Sequence, residues 1–242
     1  MSPRPISVSF SGVDGAGKST QIHALRDALE RQGLRVRVVA FWDEIAALTS
    51  LREGAGHRIF KGEKGVGSPE KPVNRRDKNI RSWPMSLVRL GLYALDALST
   101  RHRVRRALRS GVDAVIFDRY IYDQFANLNL RRPLLRAYVS AVMGLVPRPD
   151  VSYILDADPA QARARKPEYP LDFIHINRQA YLRLAALLGG LTVIPPGPVA
   201  GVHAEILRNL PILQPGIEAH KVPGFAAWER DAQAPTNVHL TR

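Results

Sequence analysis

The chain has 242 residues, with 35 lysines and arginines against 22 aspartates and glutamates, a formal net charge of +13 and no cysteine. A chain of this length can bury about 70–75% of its unfolded surface in one large domain, and the cysteine count excludes disulfides, thiolate metal sites and cysteine nucleophiles. The opening MSPRPISVSF is too short in its apolar part for a secretory signal, and no later stretch approaches the roughly 18 apolar residues of a membrane span, so a cytoplasmic protein is expected.

The first element in chain order is an apolar, β-rich run over 6–10, which meets a glycine cluster at Gly12, Gly15 and Gly17. Residues 18–32 then carry Ile22, Leu25 and Leu29 at helical spacing and stop at Gly33. A second strand is predicted over 34–41, which makes the start of the chain a βαβ unit. Short buried strands follow over 112–117, 151–155 and 191–194, and helical patterns over 86–109, 133–144, 171–188 and 199–210. Short apolar strands alternating with helices predict an α/β fold: a five-stranded parallel sheet covered by helices on both faces. The domain is read over 1–210, with a long basic loop over 54–84 and a proline-bearing tail over 211–242.

The strongest chemical signal is Gly12-Val13-Asp14-Gly15-Ala16-Gly17-Lys18-Ser19, which matches G-x-x-x-x-G-K-S/T between a strand and a helix. The glycines let backbone N–H groups converge on phosphate, and the helix adds its positive N-terminal end. Lys18 is expected as a charge in a solvent-facing cradle, neutralising β and γ oxygens, and Ser19 would hold Mg²⁺ through its hydroxyl. The third strand ends in Asp118, at the edge that faces nucleotide in P-loop proteins, where a carboxylate can orient Mg²⁺ or its waters.

Phe10 to Gln21 in full, Asp118-Arg119-Tyr120, Pro149-Asp150-Val151, Leu155-Asp156-Ala157-Asp158-Pro159, Arg178 with Tyr181 and Leu182, and residues 202–207 together resemble the thymidylate kinases. The resemblance runs in order over about residues 5–210 and implies a P-loop nucleoside monophosphate kinase. It implies that Gly12, Asp14, Gly15, Ala16, Gly17, Lys18, Ser19 and Thr20 bind ATP, that Asp14 also faces the acceptor, and that Asp118 stands near the metal. Arg119 is implied as the guanidinium that grips the acceptor phosphate. A short lid over 163–170 would bring Arg163 or Arg165, and with them Lys166, over the phosphates, because position 16 is alanine and the loop has no cation of its own there.

Departures fall in the acceptor-binding parts. After the second strand the family usually has an Arg-Glu-Pro stretch, where this chain has Phe41-Trp42-Asp43-Glu44, and in the following helix Asp96 precedes Ala97 where an arginine is common. The basic loop takes up that place, so Arg75, Arg76 and Arg81 are expected to contact an anionic acceptor. By contrast, Arg101, Arg103, Arg105, Arg106 and Arg109 read as a solvated helical face, and Tyr120, Tyr122 and Phe125 as core rather than a base platform. The expected activity is Mg²⁺-dependent transfer of the γ-phosphoryl of ATP to a phosphorylated small molecule, dTMP in first place. Other phosphoryl acceptors, a non-catalytic ATP- or nucleic-acid-binding module, a homodimer and a less favoured nucleic-acid partner stay open.

Overall fold

The computed structural model describes residues 4–41 and 83–210. Strands β1 (Ile6–Ser11), β2 (Val36–Ala40), β3 (Ala114–Asp118), β4 (Val151–Leu155) and β5 (Thr192–Ile194) form one parallel sheet in the order β2-β3-β1-β4-β5. The helices among the described residues are α1 (Lys18–Arg31), α2 (Trp83–Leu108), α3 (Tyr122–Phe125), α4 (Pro133–Met143), α5 (Pro159–Arg165), α6 (Leu171–Leu188) and α7 (Val199–Arg208).

Alternation along the strands decides which helix covers which face. Val8 and Phe10 of β1 and Ile116 of β3 pack with Ile22, Leu25 and Leu29 of α1 and Ile206 of α7. Val115 and Phe117, one step out of phase in β3, turn to the other face and meet Ala97 and Val104 of α2, Val139 and Val142 of α4 and Leu184 of α6. A parallel sheet needs both covers, since each strand is buried on two sides. No helix among the described residues is long and apolar enough to cross a membrane.

Boundaries differ from expectation where local hydrogen bonds claim the residues. Gly33 N–H donates to the Glu30 carbonyl and Leu34 N–H to the Leu29 carbonyl, 2.9 and 3.2 Å, which closes α1 with a left-handed residue at Gly33 and holds residue 34 out of β2. Helix α2 begins at Trp83, so residues 83 and 84, expected in the loop, are helical; proline is tolerated in a first turn because its missing N–H has no partner to lose. The remainder of that loop, with Arg75, Arg76 and Arg81, and the tail over 211–242 lie outside the described residues.

Tyr120, Tyr122 and Phe125 are core: each is essentially inaccessible, and Tyr120 Oη donates to the Pro147 carbonyl at 2.5 Å. On α2, His102, Arg103, Arg105, Arg106 and Arg109 are exposed and Arg101 is half-buried, in keeping with a solvated face.

Candidate active site

Three connections meet at the carboxyl ends of the central strands, where open α/β sheets bind their ligands. The P-loop follows β1, Arg119 follows β3 and Asp156 follows β4. Two glycines set how close the loop comes to its neighbours. A Cβ on Gly12 would run into the carbonyl of Leu155 at the end of β4, and one on Gly15 into the carbonyl of Ala162 in α5; both glycines also hold positive φ, 140° and 83°. The loop is thus wedged between β4 and α5 by backbone contact that no side chain could share.

Lys18 departs from the expected solvent-facing position. The residue is 7% exposed, and its Nζ donates to the carbonyls of Gly12 and Val13, each at 2.8 Å. The lysine lies in the first turn of α1, directly after the loop, so its chain folds under the turn it follows and satisfies carbonyls that face inward. Burial pushes its pKa down to about 8, with Arg119 adding to the fall and Asp123, Asp14 and Asp118 opposing it. Ser19 and Thr20 are exposed at the helix start.

At the end of β3 the carboxylate of the half-buried Asp118 accepts no hydrogen bond among the described residues. Arg119 next to it adopts φ 67°, a left-handed backbone uncommon for a residue with a side chain. Its N–H donates to the Phe10 carbonyl at 2.9 Å, and its side chain swings toward the P-loop. There Nη2 pairs with Asp14 and Nη1 with Asp123 at 2.8 Å. Burial alone would lift the Asp14 carboxyl, but Arg119, Lys18 and Lys166 outweigh it and hold the group below its ordinary value. The Arg119 guanidinium is disfavoured by burial and held charged by Asp123 and Asp14.

Asp123 is the residue that sequence reasoning missed. It sits on the single turn of α3, four positions after Arg119, and accepts hydrogen bonds from Ser11 Oγ at 2.5 Å, Tyr181 Oη at 2.7 Å and the Tyr120 N–H at 3.2 Å besides Arg119. The available signal was a lone carboxylate inside the aromatic run Tyr-Ile-Tyr-Asp-Gln-Phe. Its neighbour Gln124 donates to the buried Asp96 of α2 at 2.5 Å, while Ala97, where the family commonly has an arginine, is buried in the core.

Two cavities flank the P-loop. One, of about 400 Å³, is lined by Asp14, Arg119, Asp123, Lys166, Glu168 and Tyr181 among others. The second, of about 630 Å³, is lined by Ala16, Gly17, Thr20, Asp158, Arg165 and the turn at Pro196 to Pro198. The end of α5 and the residue after it serve both. Arg165 Nη1 donates to the Gly15 carbonyl at 3.1 Å on the second side, while Lys166 lies 4.0 Å from Asp14 and 3.2 Å from Glu168 on the first. Arg163 is exposed and lines neither cavity, so the structure separates it from the arginine two positions on. Deeper in, Arg178 of α6 grips Asp156 with Nε and Nη2, both at 2.6 Å, and fixes α6 against the end of β4.

No protein-family model matches the chain. Among curated proteins it is 30% identical over 190 residues to the thymidylate kinase of Bifidobacterium longum strain DJO10A, covering 74% of this chain and 83% of that protein. It is likewise 30% identical over 217 residues to a probable thymidylate kinase of Pyrobaculum aerophilum, covering 84% and 96%. In fold it is similar to the crystal structure of thymidylate kinase from Ehrlichia chaffeensis, with a TM-score of 0.52, 20% identity, and coverage of 88% of this chain and all of that one. At 30% identity over 74% and 84% of its length, the chain belongs to the thymidylate kinase family of ATP-dependent phosphotransferases.

Proposed function

We propose that the protein transfers the γ-phosphoryl of ATP to dTMP in a Mg²⁺-dependent reaction in the cytoplasm. The observation that carries this reading is the division of space by the P-loop: Asp14 lines one cavity and Ala16 the other, so donor and acceptor can meet in line across the loop. On the donor side, the loop amides, Lys18 and Thr20 receive the phosphates, and Arg165 closes from α5. On the acceptor side, Arg119 and Lys166 supply positive charge for the monophosphate, with Arg75, Arg76 and Arg81 as further candidates outside the described residues.

Ser19 and Asp118 suit Mg²⁺, because they offer a hydroxyl and a carboxylate, both hard oxygen donors, and the Asp118 carboxylate is committed to no hydrogen bond among the described residues. Bound there, the ion would offset charge on the phosphoryl oxygens. Catalysis by the chain itself is positioning and charge: Arg119 orients the attacking phosphate, and Lys18 and Arg165 stabilise the transferred group.

A different acceptor is the second reading, favoured by the carboxylates of Asp14, Asp123 and Glu168 that share the acceptor cavity. Assay of the purified protein with ATP and each nucleoside monophosphate, read as ADP release, separates the two. The first reading expects dTMP to have the highest kcat/KM, and a faster acceptor among the others would replace it.

A further inference from the structure

We propose that Asp123 is a positioning residue that holds Arg119 for the acceptor phosphate while Asp14 gives way to it. This rests on the reading of Arg119 as the ligand of that phosphate.

The two carboxylates that share Arg119 differ in how firmly they are held. The Asp123 side chain is 2% exposed and takes four donors from three directions: Ser11 on β1, Tyr181 on α6, and Tyr120 and Arg119 on the turn after β3. A carboxylate satisfied on every side has no alternative position to adopt. Asp14 is 22% exposed, rides on the P-loop and lines the acceptor cavity, with Lys166 at 4.0 Å as its other cation. A phosphate entering that cavity carries the same sign as both carboxylates and can displace only the loosely held one.

Guanidinium geometry permits the exchange. Nη1 is taken by Asp123, so the fork cannot rotate, and Nη2, now on Asp14, is the end that turns to the phosphate. The displaced Asp14 keeps Lys166 as a partner. The left-handed backbone at Arg119 then has a function, because it aims the side chain between two carboxylates of unequal mobility. The buried negative charge of Asp123 also answers the positive charge of the half-buried Arg119, which a neutral side chain of the same shape would not.

The test is steady-state kinetics with ATP and dTMP on the wild type, Arg119→Ala, Asp123→Asn, Ser11→Ala and the two doubles that contain Arg119→Ala. Arg119→Ala should raise the dTMP KM by about a hundredfold, and Asp123→Asn by about tenfold with a smaller change in the ATP KM, since one acts through the other. In the Arg119→Ala background, Asp123→Asn should add nothing. Ser11→Ala removes one donor to Asp123 without lining the cavity. It should give a smaller rise of the same sign, also lost in that background, and it carries the test if Asp123→Asn does not fold. An Asp123→Asn effect of equal size in both backgrounds, or a fall in kcat at unchanged dTMP KM, overturns the positioning role. An unchanged dTMP KM in Arg119→Ala overturns instead the reading of Arg119 itself.

Discussion

The ammonium of Lys18 lies 2.8 Å from the carbonyl oxygen of Gly12, so the charge proposed for the donor phosphates also ties together the P-loop. Lys18→Ala should therefore have two effects. Turnover should fall by about a hundredfold to a thousandfold through loss of a cation at the transferred group. Stability should fall by about 1–3 kcal/mol, because the Gly12 and Val13 carbonyls lose their partner. Chemical denaturation and ADP release measure the two separately, and an unchanged denaturation midpoint would show that the lysine is not structural.

Because burial brings Lys18 to about pKa 8, its proton leaves on the alkaline side of neutrality and not near 10.5. In the proposed role of Lys18 phosphate binding requires the ammonium, so above pH 8 ATP binding should be accompanied by uptake of a proton. ATP affinity should be nearly flat below pH 8 and fall by up to about tenfold per pH unit above it. Calorimetric titration between pH 7 and 9.5 in buffers of different ionisation heat should find proton uptake on the alkaline side; proton-neutral binding throughout would contradict it.

Both arginines are exposed, but Arg165 reaches the Gly15 carbonyl from α5 and lines the second cavity, whereas Arg163 lines neither of the two. Arg165→Ala should lower kcat by about a hundredfold or more with little change in ATP affinity, as expected for a cation that acts mainly on the transition state. Arg163→Ala should stay within about threefold of wild type, the usual result for an exposed charge. Equal losses in both variants would mean that the helix, not one guanidinium, is what matters.

Asp118→Asn should raise the Mg²⁺ concentration needed for half-maximal rate by about tenfold, since a neutral amide is a poorer oxygen ligand than a carboxylate. Titration of activity with MgCl₂ at fixed ATP checks it. An unshifted Mg²⁺ curve with lowered kcat would remove Asp118 from the metal site.

The bidentate pair of Arg178 with Asp156 ties α6 to the end of β4, with the Asp156 side chain 9% exposed and the Arg178 side chain 31% exposed. Arg178→Ala should cost about 1–3 kcal/mol, more than a surface pair and less than a fully buried one, because it leaves a mostly buried carboxylate with fewer donors. Thermal melting of the two proteins reads this directly.

What the sequence determined by itself is what depends on local order. Glycine spacing, the Lys18-Ser19 pair at a helix start and the apolar strands with their period are written in adjacent residues, and they were enough for a parallel five-stranded sheet with a P-loop at its carboxyl edge. The resemblance added Asp14, Arg119 and the pair Arg163 and Arg165; of these, Asp14 and Arg119 contact each other on one side of the loop and Arg165 reaches the Gly15 carbonyl on the other. Tertiary structure alone decided the rest. The helix of Asp123 is a single turn, too short for a periodic signal, and the donors that define the residue come from positions 11, 119, 120 and 181, which only the folded sheet brings to one carboxylate. Lys18 was misjudged for the same reason: its sequence neighbours are glycines and serine, while its burial is set by the loop folding back over its own side chain.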